Sequence, residues 1–429
     1  MSQQALTKEQ REAVGLLSIG TFLEYFDLML YVHMAVLLNE LFFPKYDPHA
    51  TQLLTALAFC STFVLRPLGA LIFGWIGDHI GRRITVIITT TLMAASCFVM
   101  ANLPTYAQIG VSAGWIVTIC RMVQGISSMG EIIGAQIYLT EISKPPIQYP
   151  LVASIVMFST LGTVAALGLA SAVTSFGLDW RLAFWFGAGI AIVGIVARTT
   201  LRETPDFADA KRQLEKLFGE RTNDYKDKLK ISPIWREKVK LQTSISYFLI
   251  ECMWPVTFYF VYLHCSNILK QNFNYTTQEV IHHNFIVAIV NLLSYIVLTY
   301  LSYKIYPLII TKIRVVIFWI SLLFLPYLLD NINTAFQVML IQSFFIIFRP
   351  DAFPSTSIFI KHFPILKRFT HTSWLFAMSR ALMHVVTSFG LVYLIKSLGN
   401  AGLLIIMIPA SIGFIIGVLY FSELEKRGQ

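Results

Sequence analysis

Two clusters of ionisable residues stand inside otherwise apolar stretches of this 429-residue sequence, and their spacing sets the chemistry open to it. Glu24 and Asp27 are three residues apart and Tyr31 follows four beyond Asp27, so on a helix all three share one face. Arg121, Gln124, Ser128, Glu131 and Tyr138 recur at helical spacing and draw a polar stripe along a second helix. Counted at 1.5 Å per residue from the inner helix ends, Asp27 lies roughly 21 Å deep and Arg121 roughly 28 Å. Glu24 and Glu131 both lie at roughly 15 Å on the same count. A carboxylate and a guanidinium at similar depth can pair, and two carboxylates at one level can share a proton. An ionisable group within hydrocarbon is costly and normally faces a cavity or a partner. Glu24, Asp27, Tyr31, Arg121, Gln124 and Glu131 are therefore the candidate substrate and proton path. The competing reading is an ion network that only ties two helices together; four ionisable groups on two stripes favour the path. Spacing does not say which acid would carry the proton.

A second constellation, GWIGDHIGRR from Gly74 to Arg83, occupies a short loop between two apolar runs. Gly74 and Gly77 permit close helix approach and Gly81 a tight turn. Asp78, Arg82 and Arg83 are charges that hydrophobic patterning does not require. Further charges sit within apolar runs: Arg66, Glu251 ahead of Trp254-Pro255, Arg349-Pro350-Asp351 and Arg380. Each is a pathway candidate by default, although Arg66, in the inner third of its run, reads better as structural. The His282-His283 pair reads as surface at an outer entrance rather than as metal ligands, so no metal and no cofactor is expected.

The elements that must position these residues are membrane helices. Hydrophobic residues make up 56% of the chain and charged residues 13%, about half the charged share of a soluble domain. Twelve apolar stretches are each long enough to cross about 30 Å of hydrocarbon. They run over 13–38, 51–77, 84–103, 109–140, 148–173, 181–201, 241–264, 281–303, 313–330, 334–359, 371–396 and 401–422. Lipid offers unpaired backbone no partner, so helices are required, and the weaker alternation of a barrel is missing. With the N-terminus inside, 25 of the 33 basic residues fall on the inner side. Four are outer (Lys45, Arg181, Lys270, Lys396) and four lie within apolar runs. This bias puts both termini in the cytoplasm, and the net charge of +9 reflects topology rather than a nucleic-acid partner. The first run carries Glu24 and Asp27 and follows no signal-peptide pattern, so it reads as a retained helix. The five cysteines show no metal or redox spacing and read as buried packing. Residues 202–240, with 11 basic and 8 acidic side chains, divide the chain into an N-terminal six-helix half, 1–201, and a C-terminal half, 241–429. Within this linker Leu214, Leu217 and Phe218 would form one apolar face of a surface helix.

The G-x-x-x-D-x-x-G-R-R spacing resembles the cytoplasmic signature of major facilitator transporters. The chain is similar, more narrowly, to the metabolite:proton symporter group, which includes proline/betaine, α-ketoglutarate, citrate and shikimate transporters. That likeness rests on GTFLEYFDLMLY (Gly20–Tyr31), Arg66-Pro67-Leu68-Gly69, RMVQGISSMGEIIGAQIYLTE (Arg121–Glu141), DWR (Asp179–Arg181) and LRETPDF (Leu201–Phe207). The resemblance implies an all-α membrane protein with twelve transmembrane helices in two six-helix halves. It makes Gly74, Asp78, Gly81, Arg82, Arg83 and Glu141 a cytoplasmic gate. Asp78 would meet a helix N-terminus of the opposite half, and the two arginines would pair with Glu141.

Departures fall mostly in the second half. Met129-Gly130 stands where two glycines are usual, Tyr303 where the second loop motif has its acid, and His362 where a glutamate is expected near Phe363-Pro364 and Arg368. The proline/betaine members known for osmosensing carry a long C-terminal coiled coil, whereas this sequence ends seven residues after its last apolar run. No G-x-x-x-x-G-K-S/T loop and no nucleophile constellation occurs, which disfavours an ATP-driven pump and an enzyme. The expected activity is secondary transport of a small polar metabolite, an osmolyte such as proline or betaine or a small carboxylate. It would run by alternating access across the inner membrane, in symport with protons, with the protein a monomer in the bilayer. A uniporter or exchanger of the same fold is the first rival, and a membrane sensor that binds without transporting is the second.

Overall fold

A computed structural model describes residues 8–42, 63–199 and 237–427, nearly all of them helical. Among the described residues the chain forms twelve main helices. The first six are α1 (Lys8–Phe42), α2 (Arg66–His79), α3 (Arg82–Ala101), α4 (Val111–Ile142), α5 (Gln148–Phe176) and α6 (Arg181–Arg198). The last six are α7 (Leu241–Phe258, continued to Phe273), α8 (Thr277–Lys304), α9 (Pro307–Asp330), α10 (Ala335–Phe348), α11 (Ile365–Val385, continued to Leu398) and α12 (Gly402–Arg427). Among the described residues, eight apolar helical spans are long enough to cross a membrane by length and composition. Large side chains such as Val316, Ile320, Leu323 and Phe324 stand exposed on α9, as a lipid-facing surface requires.

Three helices depart from the apolar runs. α7 passes through a π-helical turn, Tyr259–His264, just after Pro255 and ends at Phe273 rather than near residue 264. α9 begins at Pro307, a residue suited to the first helical turn, rather than at residue 313, so Lys312 also belongs to the helix and Arg314 lies two turns inside it. The expected single helix over 334–359 is broken. Pro350 cannot continue it, and it holds Arg349 in extended backbone with ψ 137°. The chain resumes helix only at Thr356–Lys361.

α1 packs along α5, α3 along α4 and α6, and α7 along α12. Among the described residues the first six helices meet the last six chiefly through two pairs, α5 against α8 and α2 against α11, with α4 also touching α11. The second pair is close because glycine allows it. A Cβ on Gly74 would lie 2.7 Å from Cα of Thr370, and one on Gly77 would lie 2.6 Å from the Phe369 ring. Between α2 and α3, Gly81 turns the chain at φ 147°, where a side chain would be strained. Residues 51–62, including Cys60, the run Leu201–Phe207 and the Leu214, Leu217 and Phe218 face lie outside the described residues. Cys97, Cys120, Cys252 and Cys265 are buried and free.

Candidate functional site

Asp27 of α1 and Arg121 of α4 are both buried and stand 3.4 Å apart. Arg121 also donates to Gln124 at 2.8 Å and stacks over Tyr31, its Cζ 4.2 Å from the ring centroid. Cys97 of α3 lies 3.4 Å from the other Asp27 oxygen. Four of the six path candidates thus form one cluster inside the first six helices. Glu24 departs from it. Its carboxylate faces Arg66 of α2 at 3.8 Å, and Arg66 stacks on Phe63 at 5.0 Å. Arg66, read from sequence as structural, is therefore the charge partner of a path candidate. The side chain of Glu131, the expected companion of Glu24, lies outside the described residues.

The space between the two sets of helices is lined by different residues. Two small cavities of about 40 and 50 Å³ share Tyr25, Val156, Trp254 and Tyr295 in their walls. One turn of α1 therefore divides its side chains: Glu24 and Asp27 pair within the first half while Tyr25 faces the seam. Across the seam, Arg349 and Arg380 flank Trp254, with Cζ atoms 5.8 and 4.6 Å from its ring. Such cation–π contacts strengthen when water is excluded. Arg380 is held by Glu251, at 3.1 Å to the carboxylate and through its backbone carbonyl.

Arg349 belongs to a tighter assembly that the broken α10 makes possible. Asp351, in the break, accepts from Arg349 at 3.0 Å, from Arg314 of α9 at 2.8 Å and from the Tyr295 hydroxyl of α8 at 2.9 Å. The guanidinium of Arg349 also bonds the Tyr295 hydroxyl. The interruption frees backbone carbonyls, and Arg314 takes two of them, Ile347 at 3.1 Å and Phe353 at 2.8 Å. Sequence reading left Arg314 at the edge of the run 313–330 and gave it no partner. A proline one residue from an aspartate, which removes a helix and exposes carbonyls, is the signal that a buried cation had to lie nearby.

At the cytoplasmic end, Asp78 of α2 accepts from the amides of Phe369 and Thr370 at 3.1 and 2.8 Å and from the Thr370 hydroxyl at 2.7 Å. These are the fifth and sixth residues of α11, one turn beyond the free amides of its N-terminus. Arg82, fully buried, lies 3.3 Å from Asp78 and 3.2 Å from Glu141 of α4, and donates at 2.8 Å to the carbonyl of Ile365. The second cation on Glu141 is Arg368 of α11, at 3.1 Å. Arg83, expected there, instead reaches the carbonyl of Thr199 at 2.7 Å, because it points away from the α2–α11 contact toward the end of α6.

Of the second-half positions that depart from the family pattern, one joins a cluster of its own. His362, in place of the expected glutamate, is 2.6 Å from Glu425 at the end of α12. Lys361 and Tyr306 reach the same carboxylate at 2.7 and 2.9 Å. Burial, together with the bond to Glu425, pushes the Tyr306 phenol above its ordinary range. Tyr303, at the position of the missing acid, is exposed. His283 bonds Gln342 at 2.7 Å beside an outer depression of about 480 Å³.

Comparison with known proteins bears on the fold that carries these residues. A family model described as Major Facilitator Superfamily matches residues 17–364. The Proline/betaine transporter of Escherichia coli (strain K12) is 33% identical over 281 residues, covering 62% of this chain and 54% of that protein. The Inner membrane metabolite transport protein YhjE of the same strain is 35% identical over 213 residues, 47% of this chain and 48% of that one. The chain thus spans about half the length of the curated relatives it matches. A structure of the proton:xylose symporter XylE bound to 6-bromo-6-deoxy-D-glucose shares the fold, with TM-score 0.75 at 15% identity over 96% of this chain and 95% of that one.

Proposed function

The chain belongs to the Major Facilitator Superfamily, a multi-pass membrane protein, and on that footing we propose that it is a secondary transporter working by alternating access. Its cargo is a small polar metabolite, an osmolyte such as proline or betaine or a small carboxylate, moved in symport with protons. The observation that carries this reading is a charged, aromatic cavity on the seam between the two sets of helices, shut from one side by Asp78 on Phe369 and Thr370. At about 40 to 50 Å³ the cavities hold only a few waters, so admitting a metabolite requires the helix sets to separate. Residues 1–201 and 241–429 are the two rocking bodies, and 202–240 is their cytoplasmic connector.

Asp78, Arg82 and Glu141, with Gly74, Gly77 and Gly81, form the cytoplasmic latch whose making and breaking biases the two states. Asp27 with Arg121, and Glu24 with Arg66, are the pairs through which a proton passes; in each, protonation of the acid would release the cation. The lysine and arginine bias supports both termini being cytoplasmic, and the relatives' names support a bacterial inner membrane and an osmolyte cargo. The protein works as a monomer in the bilayer.

Uptake of labelled proline, betaine, α-ketoglutarate, citrate and shikimate into proteoliposomes, with and without an imposed proton gradient, tests the reading. Accumulation of at least one solute that follows the gradient is expected. Binding without uptake of any of them would make the protein a sensor, and uptake indifferent to the gradient would make it a uniporter or exchanger.

A further inference from the structure

Asn291 stands on the same face of α8 as Tyr295, one helical turn away, and both line the cavity that Arg349 enters. The Asn291 side chain is buried, yet its Oδ1 atom has no hydrogen-bond partner among the described residues. A buried amide oxygen without a donor is costly and uncommon. The nearby charges are unbalanced too. Asp351 is shared by Arg314 and Arg349, and Glu251 is held by Arg380, so three guanidiniums face two carboxylates around this wall. A surplus buried cation calls for an anion, and Arg349 is the member of the trio on the same cavity wall as Asn291.

We propose that Arg349 and Asn291 together select the cargo: Arg349 takes a carboxylate, and Asn291 takes an N–H or O–H donor on the same small molecule. Whichever way the amide is set, it offers this cavity one donor and one acceptor. The substrate class is then an amino, imino or hydroxy carboxylate. A fully N-methylated betaine satisfies Arg349 but leaves Asn291 unpaired and sets methyl groups against it. The aromatic face suited to a quaternary ammonium, Trp254, is already covered by Arg349 and Arg380. This inference rests on the transporter reading for the cavity's role, and it divides the two osmolyte candidates which that reading leaves together.

The test compares proline with N,N-dimethylproline, which keeps the ring and the carboxylate and loses the N–H. Initial uptake into proteoliposomes and equilibrium binding to purified full-length protein are both measured. Proline is expected to win by about tenfold or more in both, the size of one unpaired buried polar group. Asn291→Leu should bring that ratio close to one while N,N-dimethylproline remains bound, and Asn291→Ser, whose hydroxyl oxygen again offers an acceptor, should recover part of it. Arg349→Lys should weaken both ligands alike. Equal affinity of the two ligands for the unaltered protein, an unchanged ratio in Asn291→Leu, or binding of neither ligand would overturn the proposal. Selective binding without uptake would sustain it and sink the transport reading instead.

Discussion

The carboxylate of Asp78 accepts two hydrogen bonds from Thr370, one from the amide at 2.8 Å and one from the hydroxyl at 2.7 Å. The two residues are 292 positions apart and belong to helices on opposite sides of the seam. Hydrogen bonds to an ionised group contribute about 1.5–3 kcal/mol each, which makes this one of the stronger ties across the seam.

Asp78→Asn should therefore weaken the latch and expose the inner end of α11. Alkylation of a cysteine introduced at buried Leu366 is expected to rise by roughly ten- to hundredfold, from the loss of one charge-assisted bond. Initial uptake should fall over the same range. Unchanged labelling would show that Asp78 does not hold this side closed.

Gly74→Ala tests the same contact by size rather than charge. Its Cβ would stand 2.7 Å from the Thr370 backbone, too close to be accommodated without moving α2 from α11. Labelling at Leu366 should rise as in Asp78→Asn, and combining the two should add little, because both open one contact. Full additivity would separate the glycine from the latch.

Asp27→Asn should abolish gradient-driven accumulation while leaving exchange of solute across the membrane measurable. The asparagine can still bond Arg121 but cannot bind and release a proton. Accumulation at the ordinary level in a well-expressed variant would remove Asp27 from the proton path.

Asp351→Asn leaves Arg314 and Arg349 without their shared carboxylate in a buried site. Breaking a buried ion pair costs about 3–5 kcal/mol, so a clear drop in Tm of the purified protein is expected. Replacing Arg314 by Met in the same variant should return about half of that drop, since it removes one of the two cations left without a carboxylate. A Tm unaffected by Asp351→Asn would mean that the broken α10 is held by packing alone.

The helical segments were legible because an apolar run of about 20 residues has one stable form in hydrocarbon. The positions of Asp78 and Arg82 were legible because a short loop with charges at fixed offsets stands out against apolar neighbours, whereas Glu141 was reached only through the family resemblance. Asp27 and Arg121 were matched by depth alone, since rise per residue is the same in every helix. Lateral pairing had no such ruler. Lipid tails are as apolar as leucine, so the hydrophobic pattern does not say which face of a membrane helix turns inward. That is why Tyr25, between two acids that were singled out, went unnoticed as a cavity residue, and why Arg66 was not matched to Glu24. Arg314 was hidden for a further reason. It stood at the edge of its expected run, and its partners exist only because Pro350 interrupts α10 elsewhere in the chain. Sequence by itself determined a helical membrane protein with one well-formed charged loop, from run length, charge bias and motif spacing. Only the tertiary structure decided which buried charges meet, because that follows from how each helix is rotated and where its backbone breaks.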